Sequence, residues 1–267
     1  MRGIYCAAVA LADVESANVV GYNTVNIGGG WNMLAVNFKN VSDTNGIAID
    51  DLFPGGGKAD TAFTAASASD ASDYIQVWDN SNGKYTTYFL YIPAKASKIP
   101  TDPNSYWWCD ANGDRANKKF VNGEAMWFYK RGTDTVTATV SGEVELSAVK
   151  EIAIGEGWNM IGSYFPAGWS LNDNGYDKDF WKSCGAVPGS ASDTSDYIQV
   201  WDNTQSKYST YFLYIPAKAS KIDTDPNSYK WCDANGDPAT TSIMSVGKGA
   251  WYYHRGSGYT LEIKKQF

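Results

Sequence analysis

The segment Asp73–Asp114 occurs twice in this chain. Its 42 residues, DYIQVWDNSNGKYTTYFLYIPAKASKIPTDPNSYWWCDANGD, return at Asp196–Asp237 with six changes. Shorter anchors extend the match on both sides. Gly30-Trp31-Asn32-Met33 pairs with Gly157-Trp158-Asn159-Met160, and Trp127–Gly132 pairs with Trp251–Gly256. Fixed anchors separated by loops of slightly different length mark two copies of one folded unit. Each unit has about 115–125 residues, the size of an ordinary single domain. Two copies are too few for a solenoid, so the pattern predicts two tandem domains. The boundary falls near Glu143–Ile152, giving an N-terminal arm at 1–25, repeat one at 26–147 and repeat two at 148–267.

The six changes carry physical information. Ser81/Thr204, Asn82/Gln205 and Gly83/Ser206 lie in a turn, and Pro100/Asp223 in another. Thr86/Ser209 is conservative. Trp107 in the first copy is Lys230 in the second. A position that accepts both is poor core, because an unpaired buried lysine is costly. Trp108 and Trp231 are unchanged, and adjacent strand residues point to opposite faces. Trp108 and Trp231 are therefore expected in the core and Trp107 at an exposed or interfacial site. Recent duplication is the competing explanation for every unchanged position.

Strand signals dominate. Tyr74–Trp78, the turn Asp79–Gly83 and Lys84–Ile92 form a hairpin signature. Trp31–Phe38, Tyr106–Cys109, Ala125–Lys130 and Thr135–Val140 are further strand candidates. Trp158–Tyr164, Tyr197–Trp201, Lys207–Ile215, Ala250–Arg255 and Tyr259–Lys264 are those of repeat two. Helix is confined to short turns at Ile47–Phe53 and Lys178–Ser183. The expected fold is all-β: two homologous β-sandwich or barrel-like domains in tandem. The linker 142–157 alternates enough to be strand itself, which would join the domains rigidly.

A net charge of −7 argues against nucleic acid or anionic lipid as the main partner. No apolar run approaches the ~20 residues of a membrane helix. Arg2, the small apolar run Gly3–Leu11 and the small-x-small Ala10-Leu11-Ala12 before Asp13 resemble the remains of a secretion signal. An ordinary apolar first strand is the alternative.

The chain has four cysteines. Cys109 and Cys232 are repeat equivalents, whereas Cys6 and Cys184 have no counterparts. In an exported chain an even count favours disulfides, and one bridge per domain, Cys184–Cys232 and Cys6–Cys109, is expected, with four buried thiols as the alternative. A zinc site is not indicated, since C-x-x-C spacing is absent and histidine occurs once. Asp110, Asn112 and Asp114, repeated as Asp233, Asn235 and Asp237, resemble the start of a calcium loop. Arg115 or Pro238 stands where such a loop has glycine, and Val121 or Met244 where it has its final acidic ligand. A tight turn stitched by its own carboxylate is the favoured reading, with calcium the weaker one.

His254 corresponds to Lys130 in repeat one, so histidine chemistry would be confined to one domain. Asp73, Asp79, Asp102 and Asp110 all recur, each at a turn or strand end where structural use is expected. The glycine runs 28–30 and 55–57 precede no phosphate-loop pattern. The aromatic residues, 18 Tyr and 11 Trp among them, are the better functional lead. Exposed rings stack on sugars and anchor protein interfaces. Trp107, Tyr85, Tyr88 and Tyr91 are the candidates, with Tyr85, Phe89 and Tyr91 on one strand face and Tyr88 on the other. An aromatic core is the structural alternative.

Ser16–Val25 (SANVVGYNTV), the Gly-Trp-Asn-Met anchors, the Gly123–Trp127 and Gly247–Trp251 segments, Arg131-Gly132 and Ser141–Val144 together resemble secreted β-repeat proteins common in Verrucomicrobia-, Lentisphaera- and Planctomycetes-type bacteria. The resemblance implies export and a β fold and supplies no catalytic residues. The sequence leads to an expectation of a non-enzymatic, secreted or cell-surface structural protein, self-associating as a layer or filament subunit through its N-terminal arm. A carbohydrate-binding adhesin using exposed Trp and Tyr is the alternative.

Overall fold

The computed structural model describes residues 19–53, 63–92, 106–173, 176, 178–215, 229–239 and 242–267. Repeat one contains β1 (Val20–Ile27), β2 (Gly30–Ala35), β3 (Ile47–Ala48), α1 (Ile49–Leu52), β4 (Tyr74–Asp79), β5 (Lys84–Tyr91), β6 (Trp107–Cys109), β7 (Lys119–Phe120), β8 (Ala125–Lys130) and β9 (Val136–Glu143). Repeat two contains β10 (Val149–Ile154), β11 (Gly157–Gly162), α2 (Lys178–Ser183), β12 (Tyr197–Asp202), β13 (Lys207–Tyr214), β14 (Lys230–Cys232), β15 (Gly249–His254) and β16 (Tyr259–Lys264). The chain is all-β, as the sequence predicts, and the two short helices fall where helix was expected.

Each repeat pairs a five-stranded antiparallel sheet with a two-stranded ribbon. The sheets run β2-β8-β4-β5-β6 and β11-β15-β12-β13-β14, and the ribbons are β1-β9 and β10-β16. The hairpin register places Asp79 opposite Lys84 and Asp202 opposite Lys207. Its turn needs one residue at positive φ: Gly83 at +60° in repeat one and Ser206 at +50° in repeat two. The linker 142–157 contains the end of β9 and all of β10, with a turn at 144–148 between them, so strand follows strand across the boundary.

Period-two alternation gives each five-stranded sheet two buried faces. The inner face of repeat one packs Leu34, Ile75, Leu90, Trp108, Met126 and Phe128 against Val25, Ile27, Val136 and Ala138 of the ribbon. Repeat two repeats this with Ile161, Ile198, Leu213, Trp231, Ala250 and Tyr252 against Ile154, Leu261 and Ile263. Trp108 and Trp231 are fully buried, as strand parity predicts.

Residues 20–25, expected in a free arm, belong to β1 and pair along their length with β9. Alternating Val25 and Ile27 feed the core, which gives that segment a place at home. Residues 1–18, including Cys6, lie outside the described residues. So do Asp102 and the glycine run 55–57.

The disulfide expectation is corrected. Cys109, Cys184 and Cys232 are free thiols. Cys184 packs against the inner-face core of repeat two, whereas Cys232 sits on the opposite face of the sheet beside Tyr214 and Phe212. A bridge would have to cross the sheet. Cys109 is likewise buried, with Tyr91, so its strand face is covered there and not exposed as parity with Trp107 suggested. Burial pushes the Cys109 and Cys232 thiols up to about 12, and neighbouring carboxylates, Asp50 and Asp110 at Cys109 and Asp233 at Cys232, add to the rise.

Candidate ligand site at the seam between the repeats

The outer faces of the two five-stranded sheets meet. Met33, Ala35, Ala125, Trp127, Met160 and Trp251 form a separate buried cluster, with Trp31, Trp78 and Trp201 packed around it. The contacts are reciprocal. Trp78 donates its indole N–H to the Trp158 carbonyl (3.1 Å), and its equivalent Trp201 donates to the Trp31 carbonyl (2.8 Å). Trp78 meets Trp251 edge-on at 5.4 Å, and Trp201 meets Trp127 at 5.6 Å. Contacts in which i touches j′ and j touches i′ are the mark of a two-fold relation, here between repeats of one chain.

The Gly-Trp-Asn-Met anchors build this seam. The glycines adopt φ of +83° and +82°, a region closed to most side chains. The buried asparagine then stitches the turn. Asn32 donates to the Gly28 and Gly30 carbonyls, and Asn159 to those of Gly155 and Gly157. With the turn fixed, Trp31 and Trp158 lie along the seam and Met33 and Met160 within it. Close approach also needs small residues. A Cβ on Gly162 would lie 2.5 Å from the Ala35 Cβ, and one on Gly249 would lie 2.8 Å from the Ala125 Cβ. Ala35/Gly162 and Ala125/Gly249 are repeat equivalents, so at each pair one copy yields the space that the other fills.

A cleft of about 400 Å³ opens on this seam, lined by Trp78, Tyr85, Trp158, Gln199, Tyr208 and Trp251. Both repeats contribute. Tyr85 and Tyr208 are repeat equivalents, 39% and 37% exposed, and Trp158 is 37% exposed. Tyr85 packs on Trp78 at 4.9 Å, and Trp158 on Trp251 at 5.6 Å. Gln199 is anchored by donating to Thr210 Oγ1 (3.3 Å). Among the described residues no charged side chain lines the cleft. Burial pushes the Tyr85 and Tyr208 phenols up, with the Trp127 and Trp251 indoles beside them pulling the other way and Tyr85 adding to the rise at Tyr208. Both are therefore neutral hydroxyls at ordinary pH.

Of the four aromatic candidates from sequence, Tyr85 alone lines the cleft. Tyr88 faces the opposite way and packs against the inner core. Tyr91 is buried beside Cys109 and Phe89. Trp107 is half-buried under Arg115, whose guanidinium carbon lies 3.6 Å from the ring centroid and which pairs with Asp50 at 3.2 Å. Trp78, Trp158, Tyr208 and Trp251 were missed. The signal was present, since all five aromatic residues of the cleft have an aromatic counterpart in the other repeat, but the seam is a tertiary contact between copies.

The Asp110 turn is stitched internally. Asp110 Oδ1 accepts the Asn112 and Asp114 amides (2.9 and 3.0 Å), and Asp233 does the same for Asn235 and Asp237 (2.9 Å each). The fold at Gly113 and Gly236 takes φ of +82° and +81°. Among the described residues no group of three or more His, Cys, Asp or Glu side chains is placed to hold a metal.

His254 is wholly buried. Its Nδ1 lies 2.8 Å from Asp196 Oδ2 and its Nε2 lies 2.8 Å from the Ser257 carbonyl. Asp196 also accepts the Val187 and Arg255 amides and the Tyr252 hydroxyl. Asp73 clamps the Thr64 and Arg131 amides in the same way. These aspartates tie the start of β4 and β12 to the end of β8 and β15.

Comparison with protein-family models, with curated proteins and with solved structures finds no match.

Proposed function

We propose that this chain is a non-enzymatic extracellular structural protein that binds carbohydrate in the cleft between its repeats. The observation that carries the reading is the cleft itself: five aromatic side chains and one amide, drawn from both repeats, with no formal charge. Its volume lies within the usual range for small-molecule sites, which are mostly apolar with a few placed polar groups. The C–H faces of a pyranose ring pack on aromatic rings, and its hydroxyls need neutral donors and acceptors such as Tyr85, Tyr208 and Gln199. An uncharged lining favours a neutral sugar over a uronate or an amino sugar, since an unpaired charge would lose its hydration without compensation. Trp78 is held by its bond to the Trp158 carbonyl, so part of the wall is set before a ligand arrives.

Histidine chemistry in the cleft is argued against by His254, the chain's single histidine. Both of its ring nitrogens are engaged and it has no exposure. Extracellular placement is supported by the apolar Gly3–Leu11 segment and the resemblance to secreted β-repeat proteins. A glycan array probed with the full chain tests the reading. Selective retention on neutral oligosaccharides, lost in Trp158→Ala, is the expected outcome. Retention on no glycan, or equal retention by the variant, would remove the cleft from the account.

A further inference from the structure

β1 and β10 occupy equivalent places, each forming one strand of a two-stranded ribbon. Among the described residues neither pairs with a strand on its other side. The two edges are not equally protected. β10 reads VKEIAI and carries Lys150 and Glu151, with Lys150 paired to Glu145 at 3.2 Å. β1 reads VGYNTVNI, eight residues without a charge. An open edge presents unpaired N–H and C=O groups to any passing strand, and charged side chains are a common guard against this. Among the described residues the same structural position thus carries charges in one repeat and none in the other.

The bare edge is also apolar. Tyr22 is 76% and Val20 62% exposed. Isolated surface apolar residues need no explanation, but these adjoin an unguarded strand.

We propose that β1 is a self-association edge, taken by β1 of a second copy in antiparallel pairing across a two-fold axis. The two ribbons then merge into one four-stranded sheet. One edge paired with itself is an isologous contact, self-complementary by symmetry. The chain carries a net charge of −7, which opposes close approach of two copies in general. An uncharged strand removes like-charge opposition at the contact itself. Eight residues give an edge of about 27 Å at the antiparallel rise.

Sedimentation equilibrium of the full chain across micromolar concentrations is the test, with Tyr22→Lys/Thr24→Lys as the variant. Both side chains are exposed on β1, and lysines facing their symmetry mates repel. The unaltered chain should dimerise, and the variant should weaken the dimer at least about tenfold, or ~1.4 kcal/mol. A chain lacking residues 1–18 should dimerise as before. Hydrogen exchange on the unaltered chain supplies a readout independent of variant folding: β1 amides should gain protection with concentration while β10 amides do not. A monomer at every concentration, a dimer indifferent to the lysines, or equal behaviour of β1 and β10 would overturn the proposal. Loss of the dimer on removing residues 1–18 alone would also overturn it, because that segment would then be the occupant of the edge.

Discussion

Replacing Gly162 by alanine pushes one methyl group into the seam between the repeats. Gly162 has no positive φ, so its backbone suits alanine and the effect is steric. The new Cβ would stand 2.5 Å from the Ala35 Cβ and 3.0 Å from the Gly123 carbonyl oxygen. Carbon atoms in favourable contact sit ~3.5–4.0 Å apart, so roughly 1 Å must be recovered. Ala35 Cβ has no rotamer to move, and both residues lie on strands. The sheets themselves must separate, straining the Trp78–Trp158 and Trp201–Trp31 bonds. Overpacking of this kind costs about 1–3 kcal/mol, or very roughly 2–4 °C in Tm per kcal/mol for a chain of this size class. Urea titration followed by tryptophan fluorescence measures the loss. Ala35→Gly then vacates the methyl group that opposes the new one. If the two sheets meet as described, the double variant is more stable than the sum of the single losses by about 1 kcal/mol or more. Strict additivity would refute the claim that these residues touch.

Two further outcomes follow from single residues. Ser206→Gly should stabilise the chain by about 0.5–1 kcal/mol, measured by urea midpoint, because serine holds φ +50° where the other copy has Gly83. Glu145, in the turn between the repeats, is buried, which alone would raise its carboxyl. The Ser147 amide and hydroxyl and the Lys39 and Lys150 ammoniums outweigh this and bring it from 4.5 down to about 2. A depressed folded-state value stabilises the fold above the unfolded one, and that contribution is lost as pH falls from about 4.5 to about 2. Glu145→Gln should therefore cost stability at pH 7 and lose its effect at the bottom of this window, a difference that paired denaturation curves at several pH values would reveal.

Local pattern was readable before tertiary contact was. The hairpin Tyr74–Tyr91 and its copy follow from β-rich runs around a turn whose residues tolerate positive φ. Trp108 and Trp231 follow from parity and the Trp107/Lys230 exchange. The same parity failed for Cys109, because it assigns residues to faces and cannot say that the outer face is itself largely covered. β1 went unseen as a home strand because its residues alternate weakly, with Gly21, Asn23, Thr24 and Asn26 between the apolar positions. The candidate site lay further from reach. Tyr85 was singled out by its strand face, yet Trp158, Trp251 and Tyr208 lie about 70–170 positions away in sequence, and only packing of copy on copy joins them. Duplication itself had hidden the clue: identical anchors look like a repeated structural need, whereas here Trp78 and Tyr85 of one copy meet Trp158, Tyr208 and Trp251 of the other in one cleft.

The central claim, that the seam holds a neutral sugar, is tested most directly by tryptophan fluorescence of the full chain titrated with neutral hexose oligosaccharides. Saturable quenching or a spectral shift is expected in the unaltered chain. Trp158→Ala should bind at least about tenfold more weakly, a loss of ~1.4 kcal/mol, at a temperature where urea titration shows it still folded, since the ring also packs on Tyr197, Trp251 and Tyr253 and its removal costs stability. A flat titration across the neutral series, or a Trp158→Ala curve that overlays the original, would contradict the account.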